Sequence, residues 1–376
     1  MADKLRLGMV GAGINVGEGA VYAATRLLDS TDVRVVCDVS TRVLARVQAR
    51  YGVGEVTTRY EDVLARSDLD AIYLGTPAQQ HARQVLAALE SGRHVCVEKP
   101  LGYTMDECRR IIELAEAKNL KVLVGMNQRA IDYFRGVKRL VEVGELGELF
   151  FVQWDYIHDV RYLTRPDSPM FTPARVDRDD PADTLLEAAC HPIDMLMWLV
   201  GWVDEVYATS VHGVLPELLP SDCVSMQLRF RRPNVAGRVL MNLGMIGPHP
   251  RRRGFHAYGT RGSVIPEGVY LDRMNPNYMS WGNPSTAQPY VLEEHWQELG
   301  LVPQVPFERQ PDDPYHIDGH MFLMPHFIRC VREGAQPLVD GRENAAMIAV
   351  CAAAVESLRT NLPVRVAPYY RQAGLE

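Results

Sequence analysis

The chain has 376 residues, of which 47% are hydrophobic and 23% are charged, the balance of a soluble globular protein. At about 150 residues per domain this length predicts two domains, and the composition excludes disordered and collagen-like proteins. Lys and Arg number 40 against 47 Asp and Glu, giving a net charge of −7. This balance excludes the basic surface that binds nucleic acid or an anionic membrane.

The amino-terminal residues lead directly into an apolar strand, without the charged region, apolar stretch and cleavage site of a signal peptide. No apolar run reaches the roughly 18 residues that a membrane span requires. The seven cysteines are scattered and form no Cys-x-x-Cys pair. We therefore expect a reduced protein located in the cytoplasm.

The first 125 or so residues alternate short apolar runs with amphipathic stretches. The predicted strands are Leu5–Val10, Val33–Cys37, Ala71–Gly75, His94–Val97 and Lys121–Gly125. The predicted helices are Thr41–Tyr51, Tyr60–Ala65, Ala78–Ser91 and Thr104–Lys118. Strict alternation of strand and helix implies parallel βαβ units with right-handed crossovers. The fold class is α/β, beginning with a doubly wound parallel sheet that spans a domain of residues 1–126.

Beyond this domain the strands follow one another without intervening helices, which favours an antiparallel sheet. A helix at Ala130–Val143 and a strand at Leu149–Tyr156 come first. Later strands are predicted at Glu205–Val211, Val224–Arg229, Ala236–Leu243, Gly254–Gly259 and Ser263–Leu271. Further helices are predicted at Thr184–Leu199, His320–Glu333 and Arg342–Thr360, and long loops at Arg161–Pro181 and Asn275–Pro314. Residues 127–376 therefore form a second α/β domain, whose last helices can pack back on the first.

A glycine-rich turn follows the first predicted strand. Glycine at a strand-to-helix turn lets backbone N–H groups approach a pyrophosphate. Val16 stands where the G-x-G-x-x-G fingerprint needs its third glycine, which predicts a longer turn than usual. A tight turn without a ligand is the alternative. The residues predicted to bind the cofactor here are Gly11, Gly13, Ile14, Asn15 and Val16.

Asp38 ends the second predicted strand, where a carboxylate accepts both ribose hydroxyls of an adenosine and repels a 2′-phosphate. This favours NAD as the cofactor. Arg42 follows four residues later, and a guanidinium there can hold the 2′-phosphate of NADP, which stays the alternative cofactor. The structural alternative for Asp38 is an N-cap of the next helix.

Three polar segments fall at the carboxyl ends of predicted strands, where ligands bind in doubly wound sheets. They are Thr76-Pro77-Ala78-Gln79-Gln80-His81, Glu98-Lys99-Pro100 and Asn127-Gln128-Arg129. Pro100 biases the backbone of Lys99 toward an extended conformation, which restricts the direction of the lysine side chain. The alternative is that Lys99 is an ordinary surface lysine, which is the usual interpretation of an isolated lysine.

Together these segments resemble the glucose-fructose oxidoreductase / inositol dehydrogenase (Gfo/Idh/MocA) family. The resemblance extends to Gly144-Glu145-Leu146-Gly147 before a strand and to a His-x-x-Asp helix, so it covers nearly all of the chain. It implies a Rossmann domain followed by an α/β domain on a largely antiparallel open sheet, which commonly serves as a dimer or tetramer interface. The cofactor-binding residues that it implies at the strand ends are Thr76, Pro77, His81, Glu98, Lys99 and Asn127.

Hydride transfer from an alcohol needs a base for the hydroxyl proton and a cation for the developing alkoxide. Glu187 and His191 are four residues apart and share one face of a predicted helix that is otherwise apolar. A core role is the alternative for a lone histidine on such a helix. By the resemblance, His191 transfers the proton, Lys99 binds the substrate oxygen, and Glu187 replaces the family's usual Asp. These three are the predicted catalytic residues.

The substrate is predicted to be a small sugar or polyol. Its expected contacts are Lys99, Arg129, Tyr156, His158, Glu187 and His191. Core packing is the alternative for Tyr156 and His158, and Arg161, Arg165 and Arg175 are read as solvated charges. His316 and His320 have the i, i+4 spacing of half a zinc site, but Gly319 breaks the helical pattern and no third ligand lies nearby, so no metal is predicted.

These features predict an NAD(P)-dependent dehydrogenase acting on a secondary alcohol of a sugar, cyclitol or sugar derivative. Two alternatives stay open. An NAD-dependent enzyme can cleave or epimerise glycosides through transient oxidation without net redox change. A non-catalytic NAD-binding regulatory protein is the other alternative, since Glu187, Ala189 and the Pro181-Ala182-Asp183 segment depart from the family's pattern.

Overall fold

The computed structural model describes residues 4–13, 17–168, 171, 184–211, 215, 222–245, 254–274, 288–301 and 317–376. The chain divides into two compact units. The first consists of Met1–Ala130, Val305–Ile348 and Tyr370–Glu376, and the second of Ile131–Gln304 and Ala349–Tyr369. The first unit is therefore discontinuous in sequence, with one large part near the amino end and two small parts near the carboxyl end.

The first unit is built on a six-stranded parallel sheet. Its strands are β1 (Leu5–Val10), β2 (Thr31–Cys37), β3 (Val56–Thr57), β4 (Ala71–Leu74), β5 (His94–Val97) and β6 (Val122–Val124). They lie in the order β3-β2-β1-β4-β5-β6. This is the strand order of a dinucleotide-binding Rossmann sheet, and the order reverses between β1 and β4. The predicted Rossmann fold is confirmed.

Two helices of this sheet begin at side-chain caps that the sequence supplies. The helices in the amino-terminal part are α1 (Gly17–Tyr22), α2 (Thr41–Tyr51), α3 (Tyr60–Leu64), α4 (His81–Glu90) and α5 (Met105–Ala117), and a π-helical turn (Ala23–Leu27) continues α1. The Ser40 side chain caps α2 by accepting from the Val43 amide, and Gly52 ends the helix in the left-handed conformation. Thr104 and Glu107 form a capping box at the start of α5.

The second unit contains an eight-stranded mixed sheet. Its strands are β7 (Leu149–Ile157), β8 (Val203–Val211), β9 (Cys223–Phe230), β10 (Ala236–Asn242), β11 (Phe255–Gly259), β12 (Gly262–Ile265), β13 (Gly268–Leu271) and β14 (Val364–Arg365). Their order is β13-β12-β11-β7-β10-β9-β8-β14. Strands β7 and β10 pair in parallel, and the other paired strands are antiparallel. The predicted largely antiparallel sheet is confirmed.

The second unit also contains α6 (Asp132–Glu142), α7 (Arg161–Thr164) and α8 (Cys190–Val200). Helix α8 packs on β7 and is preceded by a π-helical turn at Leu185–Ala189, where a single α-helix is predicted. Such turns are rare and concentrate at functional sites. The predicted loop Arg161–Pro181 begins with α7, and its residues 169–170 and 172–181 lie outside the described ones. Of Asn275–Pro314, residues 288–301 are described and contain a 3₁₀ turn at Leu292–Glu294.

The last helices are α9 (Ile317–Glu333), α10 (Gly341–Thr360) and α11 (Ala367–Gln372). Helix α9 packs its apolar side chains into the core of the first unit. The α9 residues of that core are Leu323, Met324, Phe327 and Ile328. Helix α10 contributes residues to both units, which divide after Ile348. Among the described residues, no helix is both long enough and apolar enough to span a membrane.

Candidate functional site

The glycine turn after β1 is shaped by close backbone contacts. Gly11 has a φ of +82°, and a Cβ added there would lie 2.6 Å from the carbonyl carbon of Gly75, so only glycine fits. Gly17 is equally restricted, since its Cβ would lie 1.8 Å from the Gly11 oxygen. A Cβ on Gly13 would meet no described atom within 4 Å. Among the described residues, the turn is thus tightly packed at Gly11 and Gly17 and unobstructed at Gly13. Ile14, Asn15 and Val16, also predicted to bind the cofactor, lie outside the described residues.

Asp38 is fixed against this turn. Its Oδ2 accepts a hydrogen bond from the Ala12 amide (2.9 Å) and its Oδ1 accepts one from the Ser40 amide (2.9 Å). Ser40 takes the N-cap position of α2 that was the structural alternative for Asp38. Arg42 is exposed on the first turn of α2. The carboxylate therefore has a fixed direction, and each oxygen keeps a lone pair for a further donor.

His81 joins the loops that follow β4 and β5. Its buried ring places Nε2 2.9 Å from the Thr76 carbonyl oxygen and Nδ1 2.7 Å from the Pro100 carbonyl oxygen. The Thr76 hydroxyl in turn donates to Gln84 on α4. Both ring nitrogens of His81 are thus engaged by the chain itself. His81 holds the two strand-end loops together, and its predicted contact with the cofactor stays a prediction, as does that of Pro77.

The Glu98-Lys99-Pro100 segment continues directly from β5, with a cis peptide bond between Lys99 and Pro100. The Tyr73 hydroxyl donates to Glu98 Oε1 (3.0 Å), and His320 Nε2 lies 4.0 Å from the same oxygen. Burial raises the pKa of the Glu98 carboxyl to about 7, and raises that of the Tyr73 hydroxyl well above its usual value. A buried acid that titrates near neutrality therefore lies next to Lys99.

Sequence reasoning missed Tyr73 and His320. The sequence pattern indicates His320 only as half of a zinc site with His316, which lies outside the described residues. Among the described side chains, no group of three or more potential metal ligands is found. Instead His320 is buried beside Glu98. The one signal in the sequence for Tyr73 is its hydroxyl within the otherwise apolar strand Ala71–Leu74.

Asn127 and Arg129 follow β6 in a 3₁₀ turn. The Asn127 side chain packs against Gly319, where an added Cβ would lie 3.0 Å from that of Asn127. The Arg129 guanidinium is buried, and its Nη1 lies 3.2 Å from the Glu343 carboxylate and 3.1 Å from the Leu338 carbonyl oxygen. Arg129 thus binds groups of its own unit, and its predicted contact with substrate stays a prediction.

In the second unit, three rings form a continuous row. The His191 ring centroid lies 5.6 Å from that of Tyr156, and the Tyr156 centroid lies 4.3 Å from that of His158. Tyr156 also meets the buried Trp154 edge-to-face. His191 is on the first turn of α8 and is 7% exposed, whereas Glu187 is partly exposed on the π-helical turn. Of the predicted substrate contacts, Tyr156 therefore adjoins His191, and His158 lies on the other side of Tyr156.

Arg161 and Arg165, which follow β7, have different surroundings. Arg161 Nη2 is 2.6 Å from Asp159 Oδ2, and this guanidinium lowers the pKa of the Asp159 carboxyl. Arg165 is exposed. Arg175 falls outside the described residues.

Comparison with known proteins assigns both halves of the chain to one family. The model for an oxidoreductase family with an NAD-binding Rossmann fold (GFO/IDH/MocA) matches residues 5–126, and that of the GFO/IDH/MocA C-terminal domain matches residues 134–265. The chain is 29% identical to inositol 2-dehydrogenase 3 of Saccharopolyspora erythraea over 55% of this chain and 56% of that protein. The match thus spans about half of that dehydrogenase.

Two further relatives extend over more of the chain. A glycosyl hydrolase family 109 protein of Saccharopolyspora erythraea is 24% identical over 96% of this chain and 82% of its own length. The structure of a levoglucosan dehydrogenase in complex with NADH and levoglucosan superposes with a TM-score of 0.77 at 21% identity. That superposition covers 97% of this chain and all of the other, and it shows the same fold.

Proposed function

The chain belongs to the GFO/IDH/MocA oxidoreductase family and is an NAD-binding oxidoreductase, and from this premise we propose that it transfers a hydride between nicotinamide and a secondary alcohol of a sugar, cyclitol or sugar derivative. The observation that carries the proposal is the group of polar side chains just after the carboxyl ends of the parallel strands. These side chains are Asp38, Thr76, Glu98, Lys99 and Asn127. Similarity to an inositol 2-dehydrogenase supports a polyol or sugar as the substrate.

The residues of the first unit fit NAD on two observations. No described atom lies within 4 Å of a Cβ on Gly13, and a bound pyrophosphate requires such space beside the backbone of the turn. The Asp38 carboxylate, oriented by the Ala12 and Ser40 amides, suits the two ribose hydroxyls and disfavours a 2′-phosphate. Arg42, exposed on the next helix, is the group that would accept NADP instead.

The side chains of the protein must supply the parts of the reaction that NAD does not. NAD supplies the hydride acceptor, so the chain must take the hydroxyl proton and stabilise the oxygen. We assign the proton to His191, because imidazole accepts protons near neutral pH. Lys99 binds the substrate oxygen and stabilises the charge that develops on it. Glu187 orients the proton-transfer group from the adjacent π-helical turn, and Tyr156 and His158 bind the substrate beside His191.

Turnover of a panel of sugars and polyols, followed by NADH absorbance, tests these roles. We expect Lys99→Met and His191→Ala each to lower kcat by about 100-fold or more while NAD still binds. Full activity in both variants would overturn the mechanism. The control is His295→Asn, which removes a histidine that is not assigned to the site. This variant should retain the parent rate.

Gly13→Ala tests the cofactor position separately. The added Cβ meets no described atom within 4 Å, so the free energy of unfolding should change by less than about 0.5 kcal/mol. We expect the Kd for NAD, measured by calorimetry, to rise about tenfold because the methyl group occupies the pyrophosphate space. Gly54→Ala is the matched control, since a Cβ there also meets no described atom within 4 Å. Equal affinity in both variants contradicts the assignment.

A second candidate function is NAD-dependent cleavage or epimerisation of glycosides through transient oxidation. The similarity to a glycosyl hydrolase family 109 protein over nearly the whole chain supports it. This enzyme would retain NAD through purification and release product without accumulating NADH. Product formation from a nitrophenyl glycoside with no change in NADH absorbance would favour it over the dehydrogenase.

We also propose that the second sheet joins copies of the chain into a dimer or tetramer. On the face opposite the buried Val239 and Met241, strand β10 presents Arg238 and Leu240, which are partly exposed. Phe150 on β7 is 52% exposed. Leu240→Lys should shift the mass measured by light scattering toward the monomer, and an unchanged mass contradicts this interface. We also propose, as a separate point, that the protein is located in the cytoplasm.

A further inference from the structure

A cluster of three ionisable side chains, Tyr73, Glu98 and His320, lies at the carboxyl end of β4 and β5. We call it the strand-end cluster. The Tyr73 hydroxyl donates to Glu98 Oε1 at 3.0 Å, and His320 Nε2 lies 4.0 Å from the same oxygen. The Tyr73 and His320 rings meet edge-to-face at 5.8 Å. His320 reaches this position from α9, far along the chain from the strands.

The Glu98 carboxyl is enclosed from several sides. Its side chain is 14% exposed and that of His320 is 4% exposed. A Cβ on Gly125 would lie 3.1 Å from the carboxyl, so glycine at that position provides the space in which the carboxyl sits. The cluster is therefore a formed, desolvated site in which a change of charge has large electrostatic effects.

Few charged groups surround this carboxyl in the described part of the first unit. Tyr73 faces it from β4, His320 from α9, and Cys96 and Lys99 flank it in its own segment. The Tyr73 hydroxyl and the Cys96 thiol keep their protons, because burial raises both of their pKa values well above the usual ones. His81 on α4 faces the Thr76 and Pro100 carbonyls. Glu98, His320 and Lys99 thus determine the charge of the cluster.

We propose that Glu98 and His320 form an ionisable pair that sets the preference of the nucleotide site for oxidised over reduced nicotinamide cofactor. This inference rests on the proposed function. The oxidised nicotinamide ring carries a positive charge that the reduced ring lacks. A Glu98 carboxylate favours the cationic ring, and uptake of one proton by the carboxyl removes that preference without any other covalent change.

The geometry gives His320 a defined part in this titration. A separation of 4.0 Å exceeds a hydrogen bond, so His320 acts on Glu98 through charge when its ring is protonated. A protonated imidazole stabilises the carboxylate, whereas burial opposes it and raises the pKa of Glu98 to about 7. Under this proposal, loss of a protonated His320 moves the titration of Glu98 to higher pH. Loss of the Tyr73 hydroxyl acts in the same direction, because its hydrogen bond also stabilises the carboxylate.

Calorimetric titration of the parent protein with NAD⁺ and with NADH, at intervals from pH 5.5 to 8.5, tests the pair without measuring turnover. We expect the affinity for NAD⁺ relative to NADH to rise about tenfold across this range, with a midpoint near pH 7. In Glu98→Gln the ratio should not depend on pH. In His320→Gln and Tyr73→Phe the rise should persist with its midpoint displaced upward.

The control is His94→Asn, at the opposite end of β5, which should leave the midpoint unchanged. A ratio that is independent of pH in the parent overturns the pair while leaving hydride transfer intact, whereas failure to bind either cofactor overturns the proposed function itself. A pH-dependent ratio in Glu98→Gln also overturns the pair. If His320→Gln does not fold, an unshifted midpoint in Tyr73→Phe refutes the role of the cluster.

Discussion

The buried Glu98 carboxyl makes the stability of the protein depend on pH in a way that Glu98→Gln should remove. Burial raises the pKa of this carboxyl from 4.5 to about 7. Between these pH values the folded protein holds a proton that the unfolded chain has released. The stabilisation from that proton is complete below the unfolded pKa of 4.5. It is lost as the pH rises through about 7, so the free energy of unfolding falls across this interval.

The magnitude follows from the size of the displacement. A shift from 4.5 to about 7 is about 2.5 units, and each unit corresponds to about 1.4 kcal/mol, giving about 3 kcal/mol in all. The amide of Glu98→Gln keeps the size of the side chain and still accepts the hydrogen bond from Tyr73, but it does not titrate. The variant should therefore gain about 3 kcal/mol relative to the parent between pH 4.5 and pH 8.

Urea denaturation followed by circular dichroism at several pH values measures this difference. The control is Glu90→Gln, an exposed carboxyl at the end of α4, which should follow the pH dependence of the parent. Parallel stability profiles for the parent and Glu98→Gln would refute the reasoning, because they would mean that Glu98 titrates in the folded protein as it does in the unfolded chain.

Two further substitutions test the packing that supports each unit. Gly11→Ala should lower the free energy of unfolding by about 1–3 kcal/mol, because φ is +82° and the new Cβ would lie 2.6 Å from the backbone after β4; an unchanged thermal midpoint contradicts this. Ser357→Ala should cost about 1–3 kcal/mol, since the buried hydroxyl donates to the Leu362 carbonyl oxygen and accepts from the Ala208 amide. The exposed Ser210→Ala is its control in urea denaturation, and equal midpoints for the two would contradict the expected loss.

Elements with strong local signals were predicted closely. The strand Leu5–Val10 and the helix Thr41–Tyr51 have the predicted bounds, because apolar periodicity and the capping residues Ser40 and Gly52 all lie within the segment. Strands Val56–Thr57 and Val364–Arg365 were not predicted, since two residues carry no readable period and depend on pairing with a neighbouring strand. Whether such short strands form depends on tertiary pairing rather than on the local sequence.

The residues of the candidate site also differ in whether the sequence alone could identify them. Asp38 and Glu98 could be selected from sequence, because the end of a buried strand is visible in the residues around it. The position of His320 beside Glu98 could not, since it depends on how α9 packs against the first unit. The π-helical turn at Leu185–Ala189 also escaped prediction, because its residues have the apolar composition of an ordinary helix.

Because the first unit is discontinuous in sequence, its core cannot be completed until helix α9 has been synthesised. The apolar residues of β1, Leu5, Leu7 and Met9, share one core with Leu323 and Phe327 of α9. During translation the sheet emerges from the ribosome before α9 is synthesised, so the part of its core that α9 completes stays uncovered while residues 131–304 are made. A nascent chain stalled before residue 317 would therefore lack this part of the core, and the first unit would complete its folding only after α9 has emerged.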